Sequence, residues 1–352
     1  MALTRPLRLK SEIAKAKAQG SSSPLPVARV WVDSGVYHLD ESFDYLVPDN
    51  LSESVATGIR IQVPFHGREV EALVLSRHSH SELTGLKSIS KVLSLQSVAT
   101  PESLELIATV AKRWAAHPFD VIRSAIPPRV ASVDKEDWAQ SPSCGAQTRG
   151  NRSYIHIPPA TNRFEFIAHT AKKLFGTGSS LILVPDSRSL SRLLEYLPDS
   201  IVLDSALERS DRYRNFLKSR YGRNQTIIGT RSAIFTPIED LENIIVLDEG
   251  SEHHYEIRSP GWNVRDVAIL RCRQSEIKLT FIGYSPSSEV ARLIENRWIG
   301  YSSEKSRVDI SSFPQSHGEL IPSRLISEIR KAIHAGPVLF LAPRKGYSQA
   351  IA

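Results

Sequence analysis

Two adjacent carboxylates follow an apolar run near the middle of the chain. Asp248 and Glu249 come directly after Ile244–Leu247, a run that predicts a buried strand. A first carboxylate at the end of such a strand can hold Mg²⁺, and a second one can position a water molecule. This is the form of a Walker B element, although acids also end many ordinary strands of α/β proteins. The pair therefore predicts either phosphoryl-transfer chemistry or a plain strand end.

The sequence lacks a phosphate-binding loop to serve these carboxylates. No G-x-x-x-x-G-K-[ST] pattern occurs in the 352 residues. The segment where the loop is expected, Pro158–Arg163, contains neither glycine nor lysine, and Gly176–Ser180 precedes a strand, as a helix C-cap turn does. Without glycines the backbone cannot approach phosphates closely, and without the lysine their charge is not neutralised. We therefore predict that ATP hydrolysis is lost.

Composition is that of a globular protein and excludes several other classes. Hydrophobic residues make up 41% and charged residues 23% of the sequence, and the formal net charge of +6 is compatible with nucleic-acid binding. The sequence has no apolar run long enough for a transmembrane helix and no apolar core of a secretory signal, so we expect a cytoplasmic protein without membrane contact. Cys144 and Cys272, the only cysteines, exclude a disulfide framework or a four-cysteine zinc site.

The first part of the chain predicts a small β-rich domain behind a basic extension. Residues 1–26 are basic and end in a stretch rich in Ser and Pro, which predicts a flexible linker. Over 27–131, short strands separated by turns precede two helices, the first of which is opened by Thr100 and Pro101. Strands at this spacing are typical of a small barrel. The predicted strands are Val27–Val32, Phe43–Val47, Arg60–Pro64 and Glu69–Arg77.

The second part of the chain predicts a different architecture. Residues 132–152 are polar and poorly patterned, so we expect a linker there. Over 153–315 apolar strands alternate with helices, which predicts a doubly wound parallel sheet. A helix at Leu325–His334 and a strand at Gly336–Leu341 predict that 316–352 begins a further region, and we expect the sequence to be C-terminally truncated.

Three blocks in matching order resemble the PriA (primosomal protein N′) family. Ile228–Pro237 followed by Leu241–Glu249 is similar to the family's first motor lobe. Asp248–Tyr255 resembles the family's DEEH box, with Gly250 replacing the second glutamate, and precedes Arg265–Asp266 as in the family. The resemblance implies a mixed α/β chain in which a β-rich 3′-DNA-binding domain precedes a RecA-like helicase lobe. Its N-terminal blocks are Ser42–Pro48, Val63–Phe65, Gly85–Lys87, Ala115–Val121 and Ile126–Pro128.

The resemblance implies a pocket for the 3′ end of DNA in the β-rich domain. In the family an aspartate bonds the terminal 3′-hydroxyl, and that position corresponds to Asp44. Phe43 and Tyr45 flank it as rings on which a terminal base could stack. The alternative is that both rings are strand core and that Asp44 is a solvated turn acid, because aromatic and polar residues often alternate in strands.

Further site residues follow from the resemblance alone. Lys87 aligns with a pocket lysine near the phosphate, and the family's glycine position is taken by Gly67 or by its neighbour His66. Thr230 and Arg231 belong to the motor motif of nucleic-acid translocases. No metal site is expected.

The sequence departs from the family at its motor motifs. Gly283–Pro286 stands where the family has Gly-Ser-Ala-Thr-Pro, and 129–152 is too short for the family's winged-helix insertion. These departures resemble the actinobacterial branch, whose members lack helicase motifs. The family binds ATP with Mg²⁺, and zinc, but the phosphate loop and the zinc cysteines are absent from this sequence. We therefore expect no cofactor, and we interpret Asp248 and Glu249 as relics.

The resemblance and its departures together predict a replication restart protein without helicase activity. It would bind stalled or abandoned forks at the 3′ end of the leading strand and help to assemble the primosome. Expected partners are forked and single-stranded DNA, the single-stranded DNA-binding protein, and the replicative helicase with its loader, at the nucleoid. Two alternatives stay open: an active ATP-dependent 3′→5′ DNA helicase, and a non-catalytic protein-interaction scaffold.

Overall fold

A computed structural model describes most of the chain, namely residues 23–36, 38–39, 41–138, 150–158, 161–174, 178–304, 311–314 and 321–341. The chain forms two compact units, Met1–Lys305 and Ser306–Ala352. Residues 1–22 of the predicted extension and 139–149 of the predicted linker lie outside the described residues. The predicted domain limits are finer than this division and stay predictions. Within the described ranges, no helix is long and apolar enough to cross a membrane.

The N-terminal strands form an antiparallel sheet that closes on itself. The segment 87–90 joins the two edges of the sheet, because the amide of Leu46 donates to the carbonyl of Lys87 at 2.8 Å and the amide of Ser90 donates to the carbonyl of Gln62 at 2.9 Å. A small barrel results, as predicted. Its strands are β1 (Val27–Val32), β2 (Phe43–Leu46), β3 (Arg60–Phe65), β4 (Arg68–His78) and β5 (Lys91–Val92), in the order β2-β1-β4-β3-β5.

Successive side chains of strand β1 lie alternately inside and outside the barrel. Ala28, Val30 and Val32 are buried in the barrel interior, because successive side chains of a strand point to opposite faces. Between them, Arg29 faces solvent and Trp31 packs into the larger core formed with the following helices. The outer face of β1 is thus exposed to solvent at Arg29 and packed into the larger core at Trp31.

Two helices connect the barrel to the rest of Met1–Lys305. Helix α1 (Pro101–Arg113) begins with the predicted cap: Thr100 and Ser103 form a capping box, with the amide of Ser103 donating to the Thr100 hydroxyl at 3.1 Å. Helix α2 (Pro118–Ala125) also has proline at its first position. Their buried apolar residues join one continuous core with those of the following sheet.

The second sheet is parallel, with helices between its strands. Two separate apolar clusters lie on its faces, so the predicted mixed α/β class with a doubly wound sheet is confirmed. The strand order is β12-β6-β11-β10-β7-β9-β8. The elements are β6 (Arg152–His156), α4 (Arg163–Leu174), β7 (Ser179–Leu183), α5 (Ser187–Leu194), β8 (Ile201–Leu203), α6 (Arg209–Tyr221), β9 (Thr226–Gly229), β10 (Leu241–Leu247), α7 (Val264–Ser275), β11 (Lys278–Gly283), α8 (Ser288–Glu295) and β12 (Gly300–Ser303).

The sequence-based expectation is wrong at one strand and misses two others, namely β5, which has only two residues, and β12. The predicted strand at Gly336–Leu341 is absent, and the described residues there follow helix α9 (Ser323–Ala335) with irregular backbone. A strand needs a neighbour to bond its N–H and C=O groups, and the described part of Ser306–Ala352 contains no other strand. Strand β12 was missed because all four of its residues are exposed, which leaves no apolar pattern.

The buried carboxylate of Asp134 bonds three parts of the chain: the segment after the last barrel strand, the segment after α2, and a helix of the parallel-sheet region. Asp134, in the short helix α3 (Ala131–Asp134), is 0% exposed. Its Oδ2 accepts from the amide of Leu95 and from Nε of Arg129, both at 2.8 Å, and its Oδ1 accepts from the hydroxyl of Tyr213 at 2.9 Å. Burial, and then the charge of Asp134, raise the pKa of Tyr213, which keeps that hydroxyl a donor. The start of the predicted linker is therefore packed structure.

Replacing Asp134 with alanine is expected to destabilise the protein strongly. Three donors would lose their acceptor inside the structure, which typically costs about 3–5 kcal/mol when one partner of a buried pair is removed. Urea unfolding measures the change. Tyr213→Phe is the matched control, since it deletes a single hydrogen bond, and about 1 kcal/mol is expected for it. A loss for Asp134→Ala no greater than that for Tyr213→Phe would contradict the linking role.

Candidate functional site

The carboxylate of Asp44 lies on the outer face of the barrel, paired with an arginine of the neighbouring strand. The register of β1 and β2 places Arg29 opposite Asp44. Nε of Arg29 donates to Oδ1 at 2.9 Å, Nη2 donates to Oδ2 at 3.2 Å, and the Ser81 hydroxyl donates to Oδ2 at 2.7 Å. The Arg29 side chain is 45% exposed, whereas that of Asp44 is 6% exposed. Asp44 is thus neither a turn residue nor freely solvated.

These contacts keep Asp44 ionised. The hydrogen bond from Arg29 is the main cause that lowers the pKa of Asp44, and the Ser81 hydroxyl and the charge of His78 act in the same direction. They outweigh partial burial, which alone would raise that pKa. An ionised carboxylate only accepts hydrogen bonds, so the site suits a ligand that offers a hydroxyl donor.

The two aromatic neighbours of Asp44 differ in their availability. Tyr45 is 4% exposed in the barrel core, its hydroxyl donates to the carbonyl of Pro64 at 3.3 Å, and burial raises its pKa to about 12. The packed ring agrees with the alternative that Tyr45 is strand core, and stacking of a base on Tyr45 stays a prediction. Phe43 is half-buried and makes an edge-to-face contact with Phe65, with ring centroids 5.2 Å apart, and Phe65 contacts the ring of His66. Stacking on Phe43 stays a prediction.

The remaining pocket residues predicted from the sequence lie on turns around the same barrel. His66 and Gly67 form the two-residue connection of β3 and β4, with φ values of 45° and 79°. Both values are in the left-handed region that suits Gly67, and an added Cβ there would meet nothing within 4 Å. Lys87 is exposed, and its carbonyl bonds the amide of Leu46, two residues along β2 from Asp44. Their roles toward DNA stay predictions.

The acid pair at the end of β10 is held by other residues of the chain. Oδ2 of Asp248 accepts from Nη1 of Arg163 at 2.6 Å. Glu249 is 1% exposed, and it accepts from the amide of Ser287 at 2.7 Å and from the Ser287 hydroxyl at 2.8 Å. Ser287 is also the N-cap of α8. Burial raises the pKa of both carboxyl groups, against the charge of Arg163 at Asp248 and the Ser287 hydrogen bonds at Glu249.

These residues do not fit Mg²⁺ and ATP in the manner of a motor. Arg163 is the last residue of the segment where a phosphate loop is expected and the first residue of α4, and it is bonded to Asp248. Glu249, which in a motor would position water, is committed to a helix N-terminus. Pro159 and Ala160 lie outside the described residues, as do Gly176 and Thr177 of the other candidate loop. No cluster that could hold a metal ion occurs among the described residues.

Arg231 and His254 fasten the loop that follows the acid pair. Nη1 of Arg231 donates to the carbonyl of Tyr255 at 2.6 Å, and its Nη2 lies 3.0 Å from Glu256. His254 is 0% exposed with Nε2 2.8 Å from the carbonyl of Leu247, and burial lowers its pKa to about 4. Thr230 bonds through its backbone, and a role for Thr230 or Arg231 toward DNA stays a prediction.

Sequence reasoning missed Arg29, Ser81 and Arg163. Arg29 carried a recognisable signal, because a lone charge at an outward position of an otherwise apolar strand indicates an exposed partner. Ser81 and Arg163 carried none, because their partners Asp44 and Asp248 lie 37 and 85 residues away in sequence.

Comparison with known proteins assigns the N-terminal region. Residues 29–127 match the model of the PriA 3′DNA-binding domain (3′BD). The chain is 30% identical over 364 residues to the "Probable replication restart protein PriA" of Mycobacterium tuberculosis, a match covering 90% of this chain and 56% of that protein. It is 26% identical over 360 residues to the "Replication restart protein PriA" of Treponema pallidum, covering 88% and 53% respectively. The chain thus spans about half the length of the curated relatives it matches.

Solved structures give only a distant likeness. The match to the C-terminal domain of a variant of S. cerevisiae Dbp5 covers 53% of this chain and 97% of that chain, at 14% identity and a TM-score of 0.34. The E. coli DExH-box NTPase HrpB covers 42% of this chain and 20% of its own, at 15% identity and a TM-score of 0.29. A likeness this distant gives no information about function.

His254 is expected to make stability depend on pH. Its folded pKa of about 4 lies below its ordinary value of 6.5, so the unfolded chain binds more protons between these values. The stability is therefore fully present above pH 6.5 and is lost as pH falls toward 4, by about 2 kcal/mol between pH 7 and pH 5. Urea unfolding of His254→Gln should lack this part of the pH dependence. The exposed neighbour provides the control: equal slopes for His254→Gln and His253→Gln would contradict the assignment.

Proposed function

We propose that this chain, whose N-terminal region matches the PriA 3′DNA-binding domain and which is 30% identical to mycobacterial replication restart proteins PriA, belongs to that family and binds the 3′ end of DNA through the barrel pocket around Asp44. In this proposal it acts at stalled or abandoned replication forks, where the 3′ end of the leading strand is the ligand, and it contributes to primosome assembly without unwinding DNA. The observation that carries the proposal is an ionised, arginine-held carboxylate on the outer face of the segment that matches a 3′DNA-binding domain.

The chemistry of the pocket suits a 3′-hydroxyl and opposes a 3′-phosphate. Asp44 accepts hydrogen bonds but cannot donate them, so it can bond a terminal hydroxyl. A terminal phosphate would bring negative charge next to the carboxylate and be repelled. The half-exposed guanidinium of Arg29 and the exposed Lys87 are cations suited to the backbone phosphates of the last linkages. Phosphate contacts supply affinity, and the end group supplies selectivity.

The parallel sheet is proposed to serve as a scaffold rather than a motor. Arg163 neutralises Asp248 and Ser287 satisfies Glu249, so the two groups that a motor would use stabilise the ends of β10, α4 and α8 instead. Partners on this view are forked and single-stranded DNA, a single-stranded DNA-binding protein, and the replicative helicase with its loader. These partners follow from the resemblance to the PriA family, and the site of action would be the nucleoid in the cytoplasm.

Asp44→Ala is expected to abolish the preference for 3′-hydroxyl ends. Wild-type protein should bind an oligonucleotide with a 3′-hydroxyl roughly tenfold more tightly than the same oligonucleotide with a 3′-phosphate, the scale of one hydrogen bond to a charged group. Fluorescence anisotropy with both oligonucleotides measures the ratio. Glu53→Ala, which removes an equal charge from an exposed position, should keep the wild-type ratio. If Asp44→Ala keeps the wild-type ratio of affinities for the two oligonucleotides, Asp44 does not bind the 3′-hydroxyl and the proposal is wrong.

The acid pair is expected to take no part in ATP hydrolysis. Forked DNA should not stimulate ATP turnover by the wild-type protein, and Asp248→Asn should leave the turnover unchanged. The same variant should change the free energy of unfolding by no more than about 1 kcal/mol, because the ion pair with Arg163 is partly exposed and the burial that raises the pKa of Asp248 opposes the charged form. DNA-stimulated hydrolysis that disappears in Asp248→Asn would instead establish an active helicase.

A further inference from the structure

The carboxylate of Asp44 is covered, although a DNA end would have to reach it. With 6% of its side chain exposed, Asp44 cannot accept a sugar hydroxyl unless a covering group moves. Two groups make the cover: the guanidinium of Arg29 and the hydroxyl of Ser81. One of these has to be displaced for a 3′ end to bind.

The Ser81 contact has the chemistry of the contact that DNA would make. Its hydroxyl donates to Oδ2 of Asp44 at 2.7 Å, as an alcohol donates to a carboxylate. The amide of Leu83 donates to the Ser81 oxygen at 3.2 Å, so the serine oxygen already accepts one hydrogen bond and its proton is directed at Asp44. A ribose or deoxyribose 3′-hydroxyl would offer the same donor to the same acceptor.

Ser81 is easier to displace than Arg29. Arg29 belongs to β1, which is bonded to β2 on one side and to β4 on the other, and it holds both oxygens of Asp44. Ser81 belongs to the segment 79–86, which follows β4, has no regular secondary structure and is mostly exposed. Moving such a segment breaks few contacts, whereas moving Arg29 breaks two charge-assisted hydrogen bonds.

We propose that Ser81 is an internal competitor of the DNA 3′ end: its hydroxyl occupies Asp44 in the free protein and is exchanged for the terminal hydroxyl on binding. The inference rests on the proposed function and adds a closed state, in which the Ser81 hydroxyl occupies Asp44 and blocks the 3′ end. The free protein is mostly closed, so its apparent affinity equals the intrinsic affinity multiplied by the open fraction. Because one hydroxyl replaces another, the exchange is favourable only for an end that carries a donor.

Removing the competitor should therefore tighten the binding of 3′-hydroxyl ends. Ser81→Ala in the full chain is expected to bind a 3′-hydroxyl oligonucleotide roughly tenfold more tightly than wild type, since the lost contact is a hydrogen bond to a charged group. Its affinity for the matching 3′-phosphate oligonucleotide should stay unchanged, because that end offers no hydroxyl to Asp44. Anisotropy titrations of both oligonucleotides measure the two affinities.

Two serine variants serve as controls. Ser79→Ala removes a hydroxyl that contacts His80 rather than Asp44, and it should bind both oligonucleotides as wild type does. Ser81→Thr retains the hydroxyl and should also behave as wild type. Binding of the 3′-hydroxyl oligonucleotide by Ser81→Ala that is equal to or weaker than wild type would overturn the proposal, because Ser81 would then be neutral or part of the bound pocket.

The same titrations separate this inference from the proposed function. If wild type prefers 3′-hydroxyl ends and Ser81→Ala does not bind them more tightly, the pocket stands and the competitor is rejected. If wild type shows no preference but Ser81→Ala gains one that Asp44→Ala abolishes, the competitor is supported, because it masks the pocket. If no variant distinguishes the two ends, both are rejected.

Discussion

A carboxylate that is removed from water must be paired with hydrogen-bond donors or a cation. In the unit Met1–Lys305 the buried Asp134 meets this requirement by bonding three separate parts of the chain. An unpaired carboxylate in the interior carries a large desolvation penalty, so its position is retained only where donors converge. Its donors come from the barrel, from the connection after α2 and from α6 of the parallel sheet. One group therefore bonds the segment after β5, the connection after α2 and helix α6 to one another.

Asp44, Asp248 and Glu249 are also paired, but one partner of Asp44 can be replaced and those of Asp248 and Glu249 are fixed. Asp44 is paired with an arginine that stays half in solvent and accepts a hydrogen bond from a serine of an irregular segment, so the serine can be exchanged. Asp248 is paired with Arg163, and Glu249 accepts hydrogen bonds from Ser287. Both partners begin helices whose places are fixed by packing against the sheet. An acid with a replaceable partner can bind a ligand, whereas an acid with a fixed partner acts as a structural link.

The absence of a phosphate-loop pattern from the sequence and the contact of Arg163 with Asp248 are related. A motor brings cationic and backbone N–H groups to the phosphates and leaves its acids for Mg²⁺ and water. In this chain the arginine that begins α4 lies against Asp248, which compensates the charge of a half-buried acid when no metal does so. The strand that carries the acids lies at the centre of the seven-stranded sheet, so these contacts hold its end within the core.

Much of this protein was readable from sequence, because strand and helix periods, caps and motif order are local properties. The alternation of β1, the capping box at Thr100, the parallel sheet and the missing phosphate loop all follow from neighbouring residues. Local pattern failed where no partner or no apolar period exists, as at Gly336–Leu341 and at β12. The pairs Arg29–Asp44, Ser81–Asp44 and Arg163–Asp248 depend on strand register and packing across 15 to 85 residues. Sequence alone determined which acids this chain carries, but only the tertiary structure decided which of them can exchange a partner, because that depends on the groups folding brings within hydrogen-bond reach.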